Sequence, residues 1–164
     1  MKGIPKCWNI FDIYANLIFL IINIIMGVFI LINNSILYLI LYIIFWVCYI
    51  IIGRYFTCRD CDFIGKLCPS WCMGIIAKFL YKRSERPHFD AKKAMLYDVS
   101  FVLLVEFIPF IPLFINFIYN YSNYNLLLLL FYTISVFSVL IVHSLFGCKK
   151  CPLEHCPMAK KKSE

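Results

Sequence analysis

The chain has 164 residues, of which 63% are apolar, with a mean hydropathy of +0.83 and a formal net charge of +7. A soluble domain of this length cannot bury so large an apolar fraction, because small domains have a high ratio of surface to volume. The composition therefore excludes an ordinary soluble domain and indicates a membrane protein.

Four apolar blocks follow one another along the chain, and each is long enough to cross a bilayer as a helix. Such a helix needs roughly 17–25 apolar residues for a hydrocarbon core about 30 Å thick. Short polar turns at 33–35 and 120–125 join the blocks into two helical hairpins. The sequence thus predicts an all-α bundle of four transmembrane helices, a single membrane domain over residues 1–164. Its predicted spans are 10–32, 36–52, 97–119 and 126–146.

Lysine and arginine are confined to three segments of the chain. Two precede the first span, nine lie in the loop 53–96 and five lie in the tail 147–164, which accounts for all 16. Short loops rich in these residues face the cytoplasm, so both termini, the loop and the tail are predicted to be cytoplasmic. The same charge favours contact with anionic membrane lipid. Nucleic acid is not an expected partner, because no segment resembles a base-reading module.

Seven of the nine cysteines form two groups within these predicted cytoplasmic segments. Cys48 lies within the second span and is interpreted as a packing residue. Cys7 lies just before the first span. The second and fourth spans of an up-and-down bundle leave it on the same side, so both groups and Cys7 are expected at one surface. The groups are Cys58, Cys61, Cys68 and Cys72 in the loop, and Cys148, Cys151 and Cys156 in the tail.

These thiols are predicted to bind metal. Cytosolic thiols are kept reduced, which disfavours disulfides, and each group contains a Cys-x2-Cys pair of the kind that chelates a metal centre. The favoured division assigns the four loop cysteines to one centre. The three tail cysteines would hold a second centre, with Cys7 as its fourth ligand.

The choice between iron–sulfur and zinc depends on the residues around the cysteines. Proline follows Cys68, Cys151 and Cys156, and Cys-Pro recurs in runs that hold [4Fe–4S] centres. Structural zinc is the alternative, because His88, His143 or His155 could complete a set of three cysteines and one histidine. Thiol–disulfide exchange and the handling of soft metal ions are further alternatives.

The loop that carries the first group also supports a resemblance. The stretch Gly53-Arg54-Tyr55-Phe56-Thr57-Cys58, continuing to Gly65-Lys66-Leu67-Cys68-Pro69, resembles a loop of the NapH-type membrane ferredoxin family. The helix number and the position of the loop are similar as well. The resemblance implies iron–sulfur binding and electron transfer with a redox or membrane partner protein. It implies an electron-transfer subunit rather than a stand-alone enzyme, and the sequence contains no Ser/His/Asp constellation or H-E-x-x-H motif to suggest catalytic residues.

Two other features stand out from the apolar background. Ile75, Ile76, Phe79 and Leu80 share one face of a predicted short helix, which would lie in the membrane interface or cover the cytoplasmic end of the bundle. Glu106 falls near the middle of the third span, where an ionisable residue marks a functional group by default. The favoured interpretation is a structural acid, hydrogen bonded to Asn23 or Ser135. The alternative is a protonatable group beside a quinone-like ligand or in a proton path.

Overall fold

The computed structural model describes residues 8–59, 61–82 and 91–151 of the chain. A π-helical turn, Tyr49–Gly53, connects α2 to α3, and a second, His143–Gly147, extends α6 into a 3₁₀ turn at Cys148–Lys150. Within the described ranges the chain forms six α-helices: α1 Ile10–Asn34, α2 Ile36–Cys48, α3 Arg54–Cys58, α4 Met73–Leu80, α5 Ala91–Tyr119 and α6 Asn123–Val142.

The helices confirm the predicted all-α fold with four spans. Their outward faces carry large apolar side chains, such as Phe11, Ile25 and Phe137, which are 62%, 61% and 59% exposed. Exposed apolar surface on this scale is favourable only against lipid. The chain is therefore an integral membrane protein. In its described part, four helical segments are long and apolar enough to cross a membrane: Ile10–Asn34, Ile36–Cys58, Lys92–Tyr119 and Asn123–Lys150.

All four spans continue beyond the limits that hydropathy predicts. The second does not end at Ile52 but remains helical to Cys58, and the third begins at Ala91 instead of Tyr97. Hydropathy falls where polar residues enter the sequence, but a helix can continue if those residues find partners. Arg54 does so, because it forms a buried ion pair with Asp98 of α5. The segment from Gly53 to Cys58 is consequently helix and not loop.

The two predicted hairpins pack into one bundle. The central helices α1 and α5 contact each other, and α2 and α6 each pack against both of them. At the end where α1 begins, Trp8 Nε1 donates to the carbonyl oxygen of Gly147 at 3.1 Å, and Lys150 Nζ lies 2.7 Å from Asp12 Oδ1. These contacts join the first span to the end of the fourth. We call this the cysteine end, since Cys58 and Cys148 also lie there.

The short helix α4 closes over the cysteine end. Its packed face consists of Met73, Gly74 and Ala77, whereas Phe79 is 85% exposed. The apolar side chains that predicted the helix thus point away from the bundle. Gly74 and Ala77 allow one face of α4 to pack closely on the bundle, while Ile76, Phe79 and Leu80 remain exposed.

Polar side chains from α1 and α6 surround Glu106 of α5. The Tyr132 hydroxyl donates to Glu106 Oε2 at 2.6 Å. With the Asn23 amide oriented so that its oxygen accepts from Ser135 Oγ at 3.2 Å, its nitrogen donates to Glu106 Oε1 at 2.8 Å. Of the two predicted partners, Asn23 bonds Glu106 directly, whereas Ser135 bonds Asn23 and not Glu106. Tyr132 is an additional partner. The arrangement is that of an acid that holds α1, α5 and α6 together.

We expect Glu106→Gln to retain the fold and Glu106→Leu to destabilise it. Glutamine can accept from Asn23 and donate to the Tyr132 hydroxyl, which in turn can donate to the carbonyl oxygen of residue 106, 3.1 Å away. Leucine leaves the buried Asn23 amide without this acceptor, at a cost of about 1–3 kcal/mol. Melting temperatures in detergent test this expectation. Equal melting temperatures for the two variants would contradict the structural role.

Candidate metal centre

The first cysteine group is presented by the end of the second span and by a loop that folds back onto α4. Cys58 is the last residue of α3, and its carbonyl oxygen accepts from the Cys61 amide at 3.3 Å. Further along, the Gly65 amide donates to the carbonyl oxygen of Gly74 at 2.6 Å. Gly65 has a φ of +81°, which glycine adopts without steric cost. The loop is thus attached at both ends to helices.

Gly74 allows the loop to approach α4 closely. A Cβ atom at this position would collide with the carbonyl oxygen of Lys66 and would lie 2.6 Å from that of Phe63. In its absence, the Gly74 amide donates to Cys68 Sγ at 3.3 Å. Hydrogen bonds to ligand sulfur atoms are among the factors that set the potential of iron–sulfur centres.

The end of the loop has a strained backbone. Trp71 and Cys72 have φ values of 55° and 58°, in the left-handed region, which costs on the order of 1–3 kcal/mol for each non-glycine residue and persists where the surroundings enforce it. The conformation turns the chain into α4 and buries the Trp71 ring, which is 5% exposed. Strain of this kind is concentrated at functional sites in proteins.

The second cysteine group follows a π-helical turn at the end of the fourth span. Such turns are rare in proteins, and those that occur are frequently found at functional sites. Cys148 begins the 3₁₀ turn after Gly147, and the Cys151 amide donates to the carbonyl oxygen of Cys148 at 3.0 Å. Since Trp8 and Asp12 of the first span bind Gly147 and Lys150, the position of these two cysteines is determined by contacts between spans.

The two groups meet at one cavity of about 150 Å³ at the cysteine end. Helices α3 and α5, the loop, and the turns after α6 all contribute to its wall. Residues far apart in the sequence are thereby brought to a common site. The cysteines that line the cavity are Cys58, Cys61, Cys68, Cys148 and Cys151.

The other cysteines have different positions. Among the described residues, Cys72 is half-buried and outside the lining of the cavity, and Cys48 is half-buried within α2. Cys7 and Cys156 lie outside the described residues, as do His88 and His155. Within the described ranges, no three Cys, His, Asp or Glu side chains are grouped closely enough to hold a metal ion.

Arg54 is a cavity residue that sequence reasoning missed. The sequence places it among the loop cations, but it is 1% exposed. Its Nη1 donates to Ser70 Oγ at 2.7 Å and lies 3.2 Å from Asp98 Oδ1. The hydroxyl of Tyr49 donates to the same Asp98 oxygen at 2.7 Å. Extending the second predicted helix through residue 58 would have linked Arg54 to the cysteine group, because it places Arg54 one turn before Cys58 on the same helix face.

His143 also lines the cavity. Its Nδ1 lies 3.1 Å from Asn16 Oδ1, while the Asn16 side-chain nitrogen donates to the carbonyl oxygen of Asp12 at 2.7 Å. Because Asn16 Oδ1 can only accept, the neutral imidazole donates from Nδ1 and its Nε2 carries a lone pair. This is the orientation in which partner residues hold a metal-binding histidine.

The comparisons with known proteins identify no relative. No family model, no curated protein and no solved structure matches the chain. The resemblance of residues 53–69 to the NapH-type membrane ferredoxins therefore stays a prediction.

The protonation of the loop thiols bears on the thiol-exchange alternative. Burial raises the pKa of the Cys61 thiol to about 12, and burial together with the nearby Cys68 raises the pKa of Cys72. Cysteines that exchange disulfides have a lowered pKa, since the thiolate is the nucleophile. Neither thiol has the activation that this chemistry requires.

Proposed function

We propose that this integral membrane protein binds an iron–sulfur centre, a [4Fe–4S] cluster, through its cytoplasmic cysteines and transfers electrons. The observation that carries the proposal is the shared cavity, where thiols of both groups meet. Four thiolates hold such a cluster, and five cysteines line the wall. The shared cavity favours one centre with ligands from both groups over the two centres that the sequence suggested.

The distribution of charge supports a cytoplasmic position for this centre. All 16 lysines and arginines lie in the terminal segments and in the stretch 53–96 between the hairpins, and the two hairpin turns carry none. By the positive-inside rule, both termini and the cysteine end face the cytoplasm. In that reducing compartment the cysteines remain available as metal ligands.

The surroundings of the cavity suit an anionic, sulfur-rich centre. The Gly74 amide is already directed at Cys68 Sγ, and Arg54 adds a buried positive charge to the wall. When bound, an iron–sulfur cluster supplies one-electron transfer. The chain itself would hold the cluster and exclude water from it, and electrons would pass to or from a redox partner protein in the same membrane.

His143 favours a second candidate, a zinc site that stabilises a membrane scaffold. Its Nε2 lone pair, together with cysteines of the same cavity, could form the three-cysteine, one-histidine set found in structural zinc sites. Such a site would have no redox role, and it would leave the protein colourless.

Anaerobic purification distinguishes the two candidates. The full chain is purified in detergent without oxygen, and its absorption spectrum is recorded together with iron, acid-labile sulfide and zinc contents. The proposal expects a brown protein with iron and sulfide in equal amounts. A colourless protein with stoichiometric zinc would instead support the scaffold, and a protein without metal would contradict both candidates. The His143→Ala variant adds a control, since it should lose zinc but retain an all-cysteine cluster.

A further inference from the structure

We infer that Arg54 donates hydrogen bonds from Nε and Nη2 to sulfur atoms of the bound centre and compensates its negative charge. This inference rests on the proposed iron–sulfur function and assigns a residue that contacts the cofactor. Arg54 belongs to the cavity wall. Cys58 and Cys68 line the same cavity.

The hydrogen bonds of the guanidinium group are incomplete in a specific way. Nη1 serves Ser70 and Asp98, whereas Nε and Nη2 are buried and have no hydrogen-bond partner among the described residues. A buried charged donor without a partner destabilises the fold more than a neutral one does. Such groups in native proteins need an explanation, and a ligand in the adjoining cavity provides one.

The geometry of the Arg54 guanidinium restricts where that partner can be. The guanidinium carbon lies 4.8 Å from the ring centroids of both Tyr49 and Trp71. The N–H bonds of a guanidinium lie in its plane, so their hydrogen-bond acceptors must lie near that plane as well. Ser70 and Asp98 are the partners of Nη1. The donors that lack partners in the described part of the chain are therefore the N–H groups of Nε and Nη2. A partner for them must be an acceptor in that plane.

Sulfur atoms of a metal–thiolate centre fit these requirements. Thiolates and cluster sulfides accept hydrogen bonds and carry negative charge, and both net charge and hydrogen bonding influence the reduction potential of iron–sulfur centres. Arginine offers two parallel donors in a fixed geometry, whereas lysine offers only a point charge. The ion pair with Asp98 holds the guanidinium in place. Arg54 would thus stabilise the reduced, more negative state of the centre.

The test compares variants of the anaerobically purified full chain by redox titration followed by electron paramagnetic resonance. We expect Arg54→Gln to lower the midpoint potential, because electron addition loses a compensating charge. Arg54→Lys keeps the charge and should cause a smaller shift in the same direction. Lys66→Gln is the matched control, since Lys66 is an exposed cation of the same loop and its charge is screened by water.

A second variant keeps the test informative if the single Arg54 variants fail to fold. Arg54→Met combined with Asp98→Asn removes the buried pair without leaving a lone charge, and it should also lower the potential. Iron-loaded Arg54 variants with the potential of the wild type would overturn the inference and leave the proposed function intact. Wild-type protein that contains only zinc would overturn the proposed function, and the inference with it.

Discussion

Removing two cysteines from either group is expected to abolish the whole of the bound iron, even though the groups are far apart in the sequence. Because five thiols line the cavity, a single substitution could be compensated by a neighbour, so we specify pairs. Cys58→Ala with Cys61→Ala leaves too few ligands for a four-thiolate cluster, and so does Cys148→Ala with Cys151→Ala. Iron and acid-labile sulfide per chain are measured after anaerobic purification.

The matched control is the pair Cys48→Ala and Cys72→Ala, which also removes two thiols but lies outside the cavity lining. It should retain the iron content of the wild type. Two independent centres predict a different pattern, in which each cavity pair retains about half of the iron and sulfide because the other [4Fe–4S] cluster survives. That result, or loss of iron in the control pair through Cys72, would contradict a single shared centre.

We expect Asp98→Asn to destabilise the protein strongly. The substitution preserves the shape of the side chain and an acceptor for the Tyr49 hydroxyl, but it removes the charge that pairs with Arg54. Breaking a buried pair leaves an uncompensated charge, at a cost of about 3 kcal/mol or more. A large drop in the melting temperature in detergent, or loss of folded protein during extraction, is the expected observation.

The double variant Arg54→Met with Asp98→Asn should recover most of this loss, since a neutral pair of similar volume can be as stable as the buried ion pair. The exposed carboxylate of Asp62 provides a control, and Asp62→Asn should change stability by less than about 1 kcal/mol. Two results would contradict the claim that Asp98 is needed to neutralise the buried charge of Arg54. One is a loss of stability in Asp98→Asn as small as that of the control, and the other is a double variant no more stable than Asp98→Asn.

Hydropathy was sufficient to predict the four spans because the requirement for crossing a bilayer is a property of consecutive residues. The position of α4 followed in the same way from the spacing of its apolar residues. Helix ends were predicted less well. The second span passes through Gly53 and Arg54 to Cys58. Burial of the Arg54 charge in this helix depends on a partner, Asp98, which hydropathy cannot reveal.

The partners of single polar residues depended even more on packing. The sequence predicts Asn23 and Ser135 near Glu106. It does not distinguish Tyr132, which bonds Glu106 in the structure, from the other residues of its apolar block. Arg54 was assigned to the solvated loop, and its burial between Tyr49 and Trp71 depends on the strained turn that places Trp71. Such side-chain contacts between separate elements are set by three-dimensional packing.

The sequence by itself determined that the chain is an all-α membrane protein of four spans whose clustered cysteines flank the second and fourth of them, because hydropathy and motif spacing are properties of neighbouring residues. Only the tertiary structure decided that Cys58, Cys61 and Cys68 share a cavity with Cys148 and Cys151. The physical reason is that this meeting depends on contacts between spans, such as the bonds of Trp8 with Gly147 and of Asp12 with Lys150, which join residues at opposite ends of the chain.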